Sequence, residues 1–171
     1  MEPVTRETAL RCTGIERRFH GVVAVTGVDV AIGKGEIFGL VGPNGSGKTT
    51  LVNAVTGFFP PSEGEIYLDE QKITGLPPYR VASMGVARTF QNLALFDGLT
   101  ALDNILLGRH IHMRPSVWRT AFYRWAAQKE EAENREKVEE IIEFMQLESV
   151  RDELVDDIPI GVKKRIELAR A

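Results

Sequence analysis

The chain has 171 residues, 43% hydrophobic and 26% charged, a composition that excludes disorder, a collagen-like repeat and a disulfide scaffold and allows a real core. Its 21 basic and 24 acidic residues leave a formal charge of −3, which weighs against a non-specific nucleic-acid binder, so no nucleic-acid partner is expected. No stretch reaches the roughly 18 consecutive apolar residues of a membrane helix.

Met1–Thr8 is polar, carries Pro3 and reads as a short loose arm. The lone Cys12 cannot close a disulfide within the chain, which favours a reducing cytosolic setting and a structural thiol. From Ala9 to Asp69 the text is β-rich: Val22–Val25, Val28–Ile32, a turn at Gly33-Lys34-Gly35, and the apolar run Ile37–Val41, which predicts a buried strand. Pro77-Pro78 can start a helix, and Gly85–Phe90 reads as a second extended piece. Beyond Thr100 the pattern is mainly helical. Val138, Ile141, Ile142 and Met145 form an apolar stripe, while Glu131–Arg135 and Glu133–Lys137 lie in favourable order on a solvated face. Trp118, Phe122 and Trp125, interleaved with Arg114, Arg119 and Arg124, form an aromatic face that either packs within the domain or docks on a partner.

The strongest signal is Gly42-Pro43-Asn44-Gly45-Ser46-Gly47-Lys48-Thr49, a G-x-x-x-x-G-K-[ST] phosphate loop between a strand pattern and the helix-compatible Thr49–Thr56. Small residues are required because successive backbone N–H groups must curl around a phosphate. Lys48 neutralises β/γ-phosphate charge, Thr49 can place its hydroxyl on Mg²⁺, and the helix N-terminus favours the anion. Neither the N-K-x-D nor the D-x-x-G string of a GTPase occurs, and a protein kinase uses different loop chemistry. Gln91, 43 residues after Lys48, ends an extended segment and could bring an amide to metal and attacking water.

These residues resemble the ATP-binding subunits of ABC transporters, most closely those of branched-chain amino-acid importers. The resemblance runs from Leu10 to Ala171 through Arg18-Phe19-His20-Gly21, Ala24-Val25, Gly42–Thr50, Gly64-Glu65-Ile66, Ala87–Asn92, Leu95-Phe96, Leu99-Thr100, Asn104, Gly161 and Arg165–Ala171. It implies an α/β phosphate-loop NTPase of ABC type, with an N-terminal antiparallel β segment, a parallel core sheet left incomplete here and a helical subdomain. The corresponding divisions are an arm over 1–8, a β-rich core part over 9–98 and a helical part over 99–171. By the same resemblance ATP and Mg²⁺ are the cofactors, held by Gly42 through Thr50. Thr49 and Gln91 face the metal, and Phe19 stacks on adenine, unless that ring is simply core. The implied partners are a second ABC ATPase subunit and membrane permease subunits, at the cytoplasmic face of the plasma membrane.

The family's Leu-Ser-Gly-Gly-Gln signature, which grips the other subunit's γ-phosphate, aligns with Ile158, Pro159, Ile160, Gly161 and Val162. Pro159 offers neither hydroxyl nor N–H, so one contact must be absent or replaced. Gly161 allows close approach at a helix start, and Lys163, Lys164 and Arg165 supply positive charge there. Ile66–Glu70 looks like a Walker B strand ending in Asp69-Glu70, but it lies only 21 residues past Lys48 and alternates like a half-exposed strand, so that assignment is rejected. His20, His110 and His112 match no switch-histidine motif. The chain is therefore expected to be part of a longer ATPase, with an exposed apolar edge at Ile37–Val41 and no turnover of its own. The alternatives are a nucleotide-binding module without turnover and a soluble non-transport ABC ATPase.

Overall fold

The computed structural model describes residues 7–90, 93–109 and 124–171, with side chains in the last range from residue 133 onward. The chain forms two compact units, Met1–Val86 and Ala87–Ala171.

The first unit is built on a hairpin of two 12-residue strands, β1 (Thr8–Phe19) and β2 (Val22–Gly33). Phe19 pairs with Val22 across the two-residue turn His20-Gly21, both at positive φ (46° and 88°), the mirror-image turn that matches strand twist. A second hairpin joins β3 (Glu63–Leu68) to the short β4 (Gln71–Lys72) through Asp69 and Glu70, φ 42° and 65°. The sheet order is β2-β1-β3-β4, antiparallel throughout. Two helices complete the unit, α1 (Lys48–Val55) and α2 (Pro78–Ser83), the latter opening on Pro78 where a missing N–H is harmless. Cys12, Ile15 and Ile66 of the sheet pack with Leu51 and Ala54 of α1 and Val81 of α2 in one buried cluster.

Burial raises the Cys12 thiol to about 11 from an ordinary 9.0, consistent with an inert structural role. Because the thiolate is disfavoured only in the folded state, Cys12 stabilises fully below pH 9 and loses that contribution as pH rises toward 11. Melting curves at pH 8 and pH 11 are expected to separate the wild type from Cys12→Ala, with the wild type losing about 2 kcal/mol more on going alkaline.

Two extended readings are corrected. Residues 36–43 carry no regular secondary structure, and the run expected as a buried strand is open, with Ile37 fully exposed and Val41 92% exposed. A doubly buried strand needs ladder partners on both sides, and every described strand pairs within the antiparallel sheet. Residues 86–90 likewise enter no ladder. Strand β1 begins one residue inside the expected arm, at Thr8.

The second unit contains α3 (Ala101–Arg109), α4 (Arg124–Phe144) and α5 (Ile160–Arg170), with single 3₁₀ turns at Glu148–Val150 and Val155–Asp157. Val138 and Ile142 are buried as the stripe predicts, among Leu102, Ile105, Leu147 and Ile166, and Ile141 and Met145 pack against the same cluster. Thr100 caps α3 reciprocally: its hydroxyl accepts from Asp103 N–H (3.1 Å) and donates to the Asp103 carboxylate (2.7 Å). The C-terminus of α4 closes with Gln146 at φ 54° and Leu147 N–H donating to Ile142 O, a Schellman motif.

Asn104 is fully buried and satisfied. Its amide donates to Phe96 O (3.2 Å) and Thr100 O (3.0 Å), and its oxygen accepts from Phe96 N–H (2.8 Å). Asn104→Leu would strand those backbone groups, so urea unfolding is expected to register a loss of about 3 kcal/mol. Trp118, Phe122, Arg114, Arg119, His110 and His112 lie outside the described residues.

Candidate functional site

The phosphate loop is shaped by its glycines and closed by its lysine. Gly47 has φ 87°, and a Cβ there would stand 2.6 Å from Ala24 O and 2.8 Å from Val25 Cγ2. The loop therefore rests directly on the start of β2, and only glycine lets it do so. A Cβ on Gly42 would meet Ser46 Oγ at 2.8 Å, across the inside of the loop. Lys48 folds back over the same space: its ammonium donates to Gly42 O (2.7 Å), Pro43 O (2.6 Å) and Ser46 Oγ (3.3 Å). Those three bonds use all three donors and place the cation at the centre of the loop, where phosphate oxygens would compete with the carbonyls. The helix starts at Lys48 rather than Thr49, with Leu51 N–H bonded to Gly47 O, so the first-turn N–H groups point toward the loop. Thr49 is exposed and Thr50 half-buried on that turn. The residues present fit a polyphosphate with its counter-cation.

Phe19 sits at the hairpin end of β1, half-buried rather than lost in the core. Its ring meets Phe59 edge to face, centroids 5.7 Å apart and planes at 90°, and Phe58 stands 6.4 Å from Phe59. Arg17 lies over Phe19 at 4.6 Å and over Phe59 at 5.8 Å. Arg17 pairs across the ladder with Val25, the residue beneath Gly47, so the aromatic cluster and the phosphate loop share one end of the β1–β2 ladder. Sequence reasoning missed Arg17, Phe58 and Phe59. The signal for Arg17 was present, since a residue two before Phe19 on a strand shares its face; Phe59 becomes a neighbour through tertiary contacts, its N–H bonded to Asn53 O of α1 and the adjacent Pro60 O to Arg17.

Asp69 and Glu70 lie at the opposite end. Asp69 N–H donates to Ala9 O, its carboxylate is 3.5 Å from Lys34, and Glu70 is 3.6 Å from Arg11. Strand β2 runs between Ala24 and Lys34, a span of roughly 30 Å at strand rise. These carboxylates are a hairpin turn held by surface ion pairs.

In the second unit, Pro159 precedes α5 with extended dihedrals (φ −59°, ψ 145°), and Ile160, Gly161 and Val162 form its first turn. Ile160 is 68% exposed, and a Cβ on Gly161 would meet nothing within 4 Å. The signature stretch is thus an accessible helix start whose first N–H groups precede its own ladder. Two of the three cations that follow have backbone partners. Arg165 reaches back to Met145 O (3.1 Å) and Gln146 O (3.3 Å), capping the carbonyl end of α4, and Lys163 donates to Asp156 O (3.2 Å). Lys164 remains exposed. Gln91 lies outside the described residues. No described helix is long and apolar enough to cross a membrane, and no group of three or more metal-binding side chains forms among the described residues.

A glycine-shaped loop on a strand start, its lysine folded inward and a helix opening behind it, are the features of a phosphate-loop fold. The profile of the ABC transporter family matches residues 25–171, and the chain belongs to that family. It is 36% identical over 161 residues to the high-affinity branched-chain amino acid transport ATP-binding protein BraF of Pseudomonas aeruginosa, covering 94% of this chain and 63% of that protein. It is 33% identical, with the same coverages, to LivG of Escherichia coli K12, which bears the same description. A solved ATP-binding cassette of an ABC transporter superposes with a TM-score of 0.79 at 32% identity, covering 96% of this chain and 64% of that one. The chain therefore spans a little under two thirds of the length of these relatives.

Proposed function

We propose that this chain is the nucleotide-binding part of an ATPase subunit that powers an importer of branched-chain or related amino acids. The observation that carries the reading is the Lys48 ammonium held at the centre of a loop that rests on β2 through Gly47, where only glycine fits. The names of the relatives support the amino-acid assignment. In this reading Gly42 through Thr50 bind the β- and γ-phosphates of ATP, Thr49 and Gln91 face Mg²⁺, and Phe19 stacks on adenine. A Mg²⁺ held there by Thr49 and Gln91 would supply charge neutralisation to the phosphates. Lys48 exchanges its loop carbonyls for phosphate oxygens, a swap of neutral for charged acceptors that strengthens each bond. Pro159 through Val162 meet the nucleotide on a second ATPase subunit, and permease subunits hold the pair at the cytoplasmic membrane face.

Hydrolysis requires a carboxylate near the attacking water, and in this reading Asp69 and Glu70, paired with Lys34 and Arg11, do not take that role. The experiment is phosphate release with Mg-ATP beside a binding titration, on the wild type and on Asp69→Asn/Glu70→Gln. Saturable binding, no release and no effect of the double substitution are expected. Turnover abolished by that substitution would contradict the reading.

A further inference from the structure

We propose that Arg17 is the positioning residue of the base platform, its guanidinium closing one face of Phe19 so that adenine stacks on the other. The proposal rests on the reading of Phe19 as the adenine contact. Arg17 sits in the angle between the perpendicular rings of Phe19 and Phe59, 4.6 and 5.8 Å from their centroids. Its Nη1 donates to Pro60 O at 2.7 Å, tying it to the turn that carries Phe58 and Phe59. Its Nε is buried with no hydrogen-bond partner. An arginine serving only solubility would turn that donor to water; here the donor is left unsatisfied while the planar cation stays against the rings.

The placement has two consequences. One Phe19 face is occupied by a cation, which leaves a single-sided platform for a π-system. Arg17 also pairs with Val25, on which Gly47 rests, so the same residue sets the platform in register with the phosphate loop. A purely structural arginine would affect every ligand alike. One that orients Phe19 affects the base and spares the phosphates.

The test is calorimetric titration of the chain with Mg-ATP and, separately, with Mg-tripolyphosphate, which carries the phosphates without a base. The proteins are wild type, Arg17→Gln, Arg17→Lys, Phe19→Ala and Lys48→Ala. Arg17→Gln is expected to weaken ATP about three- to tenfold and to leave tripolyphosphate within about twofold, with Arg17→Lys recovering part of the loss because it keeps a cation over the ring. If the glutamine variant does not fold, Arg17→Met, which keeps the alkyl stem on the ring, carries the same comparison. Equal weakening of both ligands, or unchanged ATP affinity, overturns the proposal. If Phe19→Ala lowers ATP selectively and Arg17→Gln does not, only the role of Arg17 falls. If Phe19→Ala leaves the ratio of the two affinities unchanged, the adenine contact falls and this proposal with it. Failure of the wild type to bind either ligand overturns the phosphate-loop reading itself.

Discussion

Gly47→Ala is expected to abolish nucleotide binding and to destabilise the β-rich unit by about 3 kcal/mol. Two independent penalties fall on the same methyl group. A φ of 87° is a conformation that a residue with a Cβ rarely adopts, and the added carbon would stand 2.6 Å from the Ala24 carbonyl, a backbone atom that cannot swing aside. The loop must lift from β2, and Lys48, the next residue, must leave the position in which it meets Gly42 and Pro43. Titration with Mg-ATP and thermal unfolding check the two halves separately. An alanine variant that binds and melts like the wild type would show that the loop does not rest on β2 as described.

Gly108→Ala is expected to have a comparable effect on the helical unit, about 3 kcal/mol or more. Its Cβ would lie 2.1 Å from Arg170 O and 3.0 Å from the same carbonyl carbon, so α3 and α5 must separate. Those helices contribute Leu102, Ile105 and Ile166 to one core, and their separation would open it. The contrast is Gly161→Ala, also in a helix of this unit but with open space around it. There alanine is expected to stabilise by about 0.5–1 kcal/mol, since glycine is the poorer helix former. Chemical denaturation of the two variants side by side should give opposite signs; two losses of equal size would contradict the packing of α3 on α5.

The phosphate loop was legible because its spacing encodes a backbone shape: Gly45 and Gly47 take positive φ, and Gly47 also lies against the Ala24 carbonyl. The stripe from Val138 to Met145 was legible for a simpler reason: helical period alone selects the buried face. The run Ile37–Val41 was legible as an exposed apolar edge but not as irregular backbone, because a continuous apolar pattern reports what a segment could bury and not whether ladder partners hold it as a strand. The exposed Ile37 and Val41 side chains are expected to drive concentration-dependent association, and Ile37→Lys to reduce it in sedimentation experiments. The direction of Arg165 was not legible, because a sequence cannot tell which way a long side chain turns. It sits beside the signature in the chain, yet its guanidinium finds the carbonyls ending α4. Phe59 lies 40 residues from Phe19, a separation bridged by the register of β3 on β1 and by the Phe59 N–H bond to Asn53 O at the end of α1.

Equilibrium binding of Mg-ATP to the wild type and to Lys48→Ala tests most directly whether this loop is a nucleotide site. Lys48 carries the positive charge at the centre of the loop, and losing a charge-assisted contact of about 3 kcal/mol corresponds to a roughly 10²-fold weaker affinity. Saturable binding by the wild type, weakened by that factor in a variant that still melts cooperatively, is the predicted result. Wild-type protein that binds no ATP, or a Lys48→Ala variant that binds it equally well, would contradict the assignment of the Gly42–Thr50 loop as the site on which the proposed function rests.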